Sequence, residues 1–366
     1  SKTDRFLTLS RKIILNTFTA IVLIILTFSI ITGISSFFTS DEKIETDGKI
    51  LWFKPIGVVV DSSIDSTPSF DDLVLGSTTV QQHELNDLLK VLNSAAKDEN
   101  LLAVYLNVSE LSMYYSSAFE IANAVKNIKD SGKKVIAYAE TFGNTSYLIS
   151  SQASKVMINE YGMVNAVGFS RKREFYKDLY ENINLNFNIF VAGDFKSGPE
   201  PFIRNSMSDE DKLAWNEFAN PLWLKMTNMM ESGRALPKGT IQKYGDSLWE
   251  MTLENPETAK IALDLNLVDM IVTREELRQW MFEEFPNKEK DKSKYPDSIS
   301  IYKYLSTIEN IESDSKNKIA VINVEGTIVT GEATYNVAGS DTIVKNIRNA
   351  IKAVSYTHLT LPTMIR

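Results

Sequence analysis

From Ile13 to Phe38 the chain runs 26 residues without a charged side chain, IILNTFTAIVLIILTFSIITGISSFF. A helix needs ~20 mostly apolar residues to cross a bilayer, whereas the apolar core of a cleaved secretion signal runs only ~7–15. The length also argues against a helix buried in a globular core. Lys2, Arg5, Arg11 and Lys12 precede the run against Asp4, and Asp41, Glu42, Glu45 and Asp47 follow it against Lys43. The positive-inside rule puts residues 1–12 in the cytoplasm and everything after Ser40 outside. The expectation is an uncleaved transmembrane anchor over 13–38. The small residues in Gly33-Ile34-Ser35 keep a cleaved signal as the alternative.

The remaining composition excludes more than it selects. With 39 basic against 47 acidic residues the net charge is −8, and no basic block interrupts the body of the chain, so no nucleic acid partner is expected. The absence of cysteine removes disulfides, thiolate metal sites and a cysteine nucleophile. Only His83 and His358 are present. A Ser-His-Asp triad needs a histidine beside its nucleophile, and a His-rich metal site needs several. His83, in TVQQHELNDLLKVL, reads as a surface or helix-start residue. Any hydrolytic chemistry here is expected to use a base other than histidine, with no metal and no cofactor.

Apolar runs alternate with helical spacing through residues 50–285. IGVVV (56–60), LLAVYLNV (101–108), VIAYAE (135–140) and KVMIN (155–159) read as buried strands. ELNDLLKVLNSAAK, AFEIANAVKNIKDSGKK, closed by Gly132, and NTSYLISSQAS read as helices. This order predicts an α/β fold with a largely parallel sheet. Ser208 and Asp211 form a cap pattern before EDKLAWNEFANPLWLKMTNMMESG, where Pro221 predicts a kink or break. Trp215, Phe218, Leu222 and Met226 share a face that reads as packing. PETAKIALDLNLVDMIVTREELRQWMFEEF reads as helix, short strand, helix. The charged segment PNKEKDKSKYPDS opens an expected linker, 286–317.

Beyond it the pattern restarts. KIAVINVEGTIV (318–329) resembles PIGVVVDSSIDS, which begins at Pro55, and DTIVKNIRNAIKAV resembles LNDLLKVLNSAAKDENLLAV. An offset of ~260 residues is too long for a solenoid and fits a second domain of the same kind, begun over 318–354. SYTHLTLPTMIR (355–366) breaks the pattern and reads as a foreign tail. Without an initial methionine, the chain reads as a fragment.

The segment VAGDFKSGPEPFIRNSMS (191–208) sets Lys196 between apolar runs, with the end of a strand expected near Phe195. Taken alone, Lys196 reads as a solvated turn residue, since lysine is rarely buried. Gly193 and Gly198 would let the backbone turn closely, Pro199 and Pro201 would stiffen it, and Asp194 would favour the ammonium form if its carboxylate approached. Ser197 is equally a hydrogen-bonding support or a plain turn residue, and Arg204 reads as a surface or ion-pair residue.

NIFVAGDFKSGPEPFIRNSMS, together with SGKKVIAYAE, the NLVD turn and the Gly/Ser/Thr-rich loop after VINVEG, resembles the long, two-repeat form of the signal peptide peptidase A (protease IV) family over roughly residues 1–354. The resemblance implies a ClpP/crotonase-like α/β superhelix, of which this chain holds the first of two repeats after an N-terminal transmembrane helix. It implies ring-like homo-oligomers and cleavage of peptide bonds by a serine nucleophile with a lysine general base. It places that lysine on Lys196, supported by the loop residues Gly193, Asp194, Ser197 and Gly198. The serine is expected beyond Val354, outside this chain, so the fragment itself is expected to be inactive. In the first repeat Asn144 falls where a nucleophile would stand, with Ser146 out of register. The expected substrates are signal peptides and other apolar peptides, and the expected place is the bacterial inner membrane, single-pass, with the catalytic part periplasmic. The alternative is a non-catalytic membrane-bound scaffold or oligomerisation unit. Crotonase-like acyl-CoA chemistry is suggested by fold analogy alone and disfavoured by the anchor.

Overall fold

The computed structural model describes residues 11–12, 15–21, 23–24, 27, 45–63, 80–285, 295–308, 320–334 and 336–353. The chain divides into two units, Ser1–Glu45 and Thr46–Arg366. In the first, residues 15–21 are helical, and the hydroxyl of Thr19 donates to the Leu15 carbonyl one turn back. Among the described residues no helix is long and apolar enough to cross a membrane, and much of the 13–38 run lies outside them. So do 286–294, 309–319 and the tail from 355 onward.

In the second unit, β1 (Lys49–Phe53) leads through Lys54 and Pro55 into β2 (Gly57–Val60). Gly57 has φ +127°, and a Cβ there would stand 2.1 Å from the Gln81 carbonyl oxygen, so only glycine lets the neighbouring strand close in. β3 (Gln82–Glu84) runs directly into α1 (Leu85–Lys97), which buries Leu85, Leu88, Leu92 and Ala95 at helical spacing. β4 (Leu101–Leu106), β5 (Leu111–Ser112), α2 (Tyr115–Asp130), β6 (Lys134–Gly143), α3 (Asn144–Ser150) and β7 (Lys155–Asn165) follow. Gly132, at φ +89°, ends α2 as its place in the sequence predicts.

A helical excursion comes next: α4 (Lys177–Asn182), α5 (Glu200–Ile203), α6 (Asp209–Arg234), α7 (Thr240–Glu254) and α8 (Thr258–Asp264). The chain returns through β8 (Met270–Ile271), α9 (Arg274–Glu284), β9 (Ser298–Ser300) and α10 (Ile301–Leu305). β10 (Thr327–Val329), β11 (Val337–Gly339) and α11 (Ser340–Ala353) complete the described elements.

The main sheet has the order β8-β7-β6-β4-β1-β9, and every pairing in it is parallel. Ile50, Ala103, Tyr105, Ile136, Tyr138 and Met157 form one face and pack with Leu277 and Met281 of α9 and with Phe285 just past its end. Their alternate neighbours, including Leu51, Val104, Leu106, Val135 and Ala137, are buried on the opposite face, the side of α1 and α2. Burial on both faces explains why these strands read as continuous apolar runs. A smaller parallel sheet, β3-β2-β5, forms where the chain steps out of β1 and β4.

Several expectations need correction. The segment 286–317 is not linker throughout: β9 pairs with β1, and Ile299, Ile301 and Tyr304 are buried. β1 was not foreseen. α6 continues through Pro221, whose side is exposed, so the ring meets no core wall. His83 is neither a surface nor a helix residue; it lies in β3, 5% exposed, with Nε2 2.8 Å from the Ile56 carbonyl and Nδ1 3.2 Å from the Tyr302 hydroxyl. In the restarted pattern only 327–329 of the described residues 320–329 is strand, while the helix forms as expected.

Candidate functional site

Residues 185–199 form neither helix nor strand, so the strand expected to end at Phe195 is absent; Phe190, Val191 and Phe195 are exposed instead. The loop turns at Gly193, where φ is +100°. Gly198 has no left-handed backbone, and a Cβ there would meet nothing within 4 Å, so its expected role in a close turn is not realised. Pro199 and Pro201 do not forbid helix. They open α5, with Pro199 as its N-cap, because the first turn needs no proline N–H.

Lys196 is exposed, as is Asp194. Nearby, Phe202 turns to Phe187 and Tyr180, with ring centroids 5.0 and 6.1 Å away. Phe195 remains 60% exposed. The loop's firm attachments lie just after the lysine. Arg173 Nη2 donates to the carbonyls of Ser197 at 2.6 Å and Gly198 at 3.2 Å, and Arg173 Nη1 donates to Asp211 Oδ2 at 3.1 Å. Arg171 Nη1 reaches the other oxygen of Asp211, also at 3.1 Å. Burial pushes the Asp211 carboxyl up, but the Ser197 hydroxyl and the two guanidiniums outweigh it and hold the group below the usual carboxylate range. Ser197 is held through its carbonyl. Arg204 is exposed and donates to the Ser206 carbonyl at 3.2 Å.

The cap on α6 forms as expected, with Asp211 N donating to Ser208 Oγ at 3.1 Å. Ser208 is itself held by the buried carboxylate of Glu200, which accepts from both its N–H and its hydroxyl. Farther along α6, Met226 is buried and Leu222 and Trp215 are half-buried, but Phe218 is exposed, so only part of the expected packing face packs.

At the start of α3, Asn144 Nδ2 donates to the Gly168 carbonyl at 2.8 Å, while its buried Oδ1 has no partner among the described residues. Ser146 is a capping residue, its Oγ accepting from Gly143 N at 2.8 Å. An open groove of about 330 Å³ lies alongside, lined in part by Ser109, Met113, Tyr115, Asn144 and Thr145. Another lysine, Lys133, is pushed down by burial, and its Nζ donates to the carbonyls of Asp98 and Leu101 at 2.7 Å each, a structural clasp. Among the described residues no cluster of three or more metal-binding side chains occurs.

Residues 127–286, which include Lys196, Arg173 and Asp211, match the family model of peptidase family S49. This part of the chain is thus similar to peptidase family S49. The chain is 29% identical over 282 residues to Protease 4 of Salmonella typhi, covering 75% of this chain and 44% of that protein. It is 29% identical over 277 residues to Protease 4 of Haemophilus influenzae, covering 73% and 45%. Against the chloroplastic serine protease SPPA of Arabidopsis thaliana it is 21% identical over 264 residues, covering 71% and 37%. The chain spans less than half the length of these curated relatives. An enoyl-CoA hydratase from Shewanella pealeana superposes with a TM-score of 0.18 at 11% identity, over 56% of this chain and 85% of that one. The S49 stretch takes in α3, β7, the lysine loop, the helical excursion and α9.

Proposed function

We propose that this chain is the lysine-bearing part of a membrane-anchored serine endopeptidase, with Lys196 as general base for a serine carried beyond Val354. The observation that supports it best is the position of Lys196: inside the S49 stretch, on a loop turned at Gly193 and braced from Ser197 onward. In this reading the serine oxygen attacks the peptide carbonyl as its proton passes to Nζ, and the ammonium so formed returns a proton to the leaving amine.

A lysine serves as base only when neutral, and burial in apolar surroundings is the means of reaching that state. Lys196 is exposed in the described chain, so the reading requires a further surface to close over the loop. The exposed Phe190, Val191 and Phe195 are apolar side chains that such a cover would bury. A ClpP/crotonase-like second α/β unit, assembled in a homo-oligomer, is the proposed cover. Signal peptides and other apolar peptides are the proposed substrates, met on the periplasmic side of the bacterial inner membrane.

The test compares the full-length protein with its Lys196→Ala variant on an apolar reporter peptide. Activity is expected to fall at least ~10³-fold, the scale on which loss of a dyad member acts, with an unchanged melting temperature. Equal activity in the two proteins would remove Lys196 from the mechanism.

A further inference from the structure

Asp211 is 5% exposed, and its carboxylate is shared by Arg171 and Arg173. A charge taken this far from water persists only when paired and hydrogen-bonded, and this one has a guanidinium on each oxygen. Arg173 adds two bonds to the carbonyls of Ser197 and Gly198. The two residues that follow Lys196 are thus gripped through their two carbonyls. The grip is anchored at its other end, because Asp211 lies in the first turn of the 26-residue helix α6 and its N–H is capped by Ser208. Arg171 is braced in turn, its guanidinium lying 5.6 Å from the centroid of the Trp215 ring.

We propose that Arg173 and Asp211 are the positioning residues of the general base, setting where Lys196 stands by fixing the backbone at Ser197 and Gly198 to α6. The proposal rests on the reading of Lys196 as that base. Both residues act through the lysine, and the physical reason is geometric: proton transfer needs heavy atoms within ~2.6–3.2 Å, and a misplacement of ~1 Å costs on the order of 10²-fold in rate. An exposed loop with apolar side chains on its outer side does not hold such a position by itself.

The experiment uses the full-length enzyme and its Asp211→Asn, Arg173→Gln, Arg173→Lys and Lys196→Ala variants. Backbone hydrogen exchange over residues 194–200 is read beside kcat, KM and the pH at which kcat/KM reaches half its plateau. For Asp211→Asn and Arg173→Gln the expected result is exchange at least ~10-fold faster in that window. The expected kinetic effect is a ~10–100-fold fall in kcat with KM within about twofold, and an ascending pH limb displaced upward. Arg173→Lys, which keeps the charge and one donor direction, is expected to recover part of kcat, and it carries the test if the other variants fold poorly. Unchanged exchange, or faster exchange with unchanged kcat and pH limb, overturns the positioning role. Full activity of Lys196→Ala with faster exchange in the other variants overturns the base reading instead, and leaves the pair bracing an ordinary turn.

Discussion

At Gly193 the backbone passes through φ +100°, where a side chain's Cβ crowds the adjoining peptide, whereas Gly198, five residues on, has an ordinary backbone and open space around it. The two glycines looked equivalent in the sequence because composition does not record φ. Gly193→Ala is expected to lower stability by ~1–2 kcal/mol and Gly198→Ala to stay within ~0.5 kcal/mol, read from urea midpoints of the two variants. Equal effects would show that the turn is not held at Gly193. Lys196 was visible in the sequence because its neighbours carry a specific pattern. Arg173 was not, because it meets Ser197 across 24 positions and Asp211 across 38, and no local period links residues so far apart. Asp211 was legible only as half of a helix cap, the role its spacing from Ser208 announces.

Among the elements, those whose pattern is long came through. α1 and α2 show their apolar stripes over 13 and 16 residues, and β6 and β7 are runs buried on both faces of a parallel sheet. β9, only Ser-Ile-Ser, has too few residues to display a period of two, and it was lost inside a charged, proline-bounded stretch. At Pro221 the break, one of the two expected outcomes, does not form. Proline in a helix interior removes one hydrogen bond and costs ~3 kcal/mol against alanine, a penalty that the packing of Ala219, Met226 and Met230 on the buried side of α6 overrides. Because residue 221 is exposed, Pro221→Ala is expected to raise stability by ~1–3 kcal/mol without altering the core, measured as a higher midpoint of thermal or urea unfolding. A lower midpoint would mean that the ring contributes packing.

On the scale of the whole molecule, the main sheet draws its strands from residues 49 to 300, with the first strand in the sequence next to the last. The S49 match begins only at residue 127, so β1 and β4, which supply Ile50, Ala103 and Tyr105 to the core, belong to the same sheet without belonging to the matched stretch. A protease site engineered into residues 288–292 and then cut is expected to leave the piece containing β9 and α10 bound. Ile299, Ile301 and Tyr304 are all buried, and three residues of β9 pair with β1. The two fragments should co-elute on gel filtration; separation would show that β9 adds little to the sheet.

The pairing of Ile50 with Ser298, Leu51 with Ile299 and Trp52 with Ser300 gives the main sheet a seam where its first and last strands meet. Because the seam is parallel, the start of β1 stands beside the start of β9, so the chain enters the sheet twice at the same end of one edge.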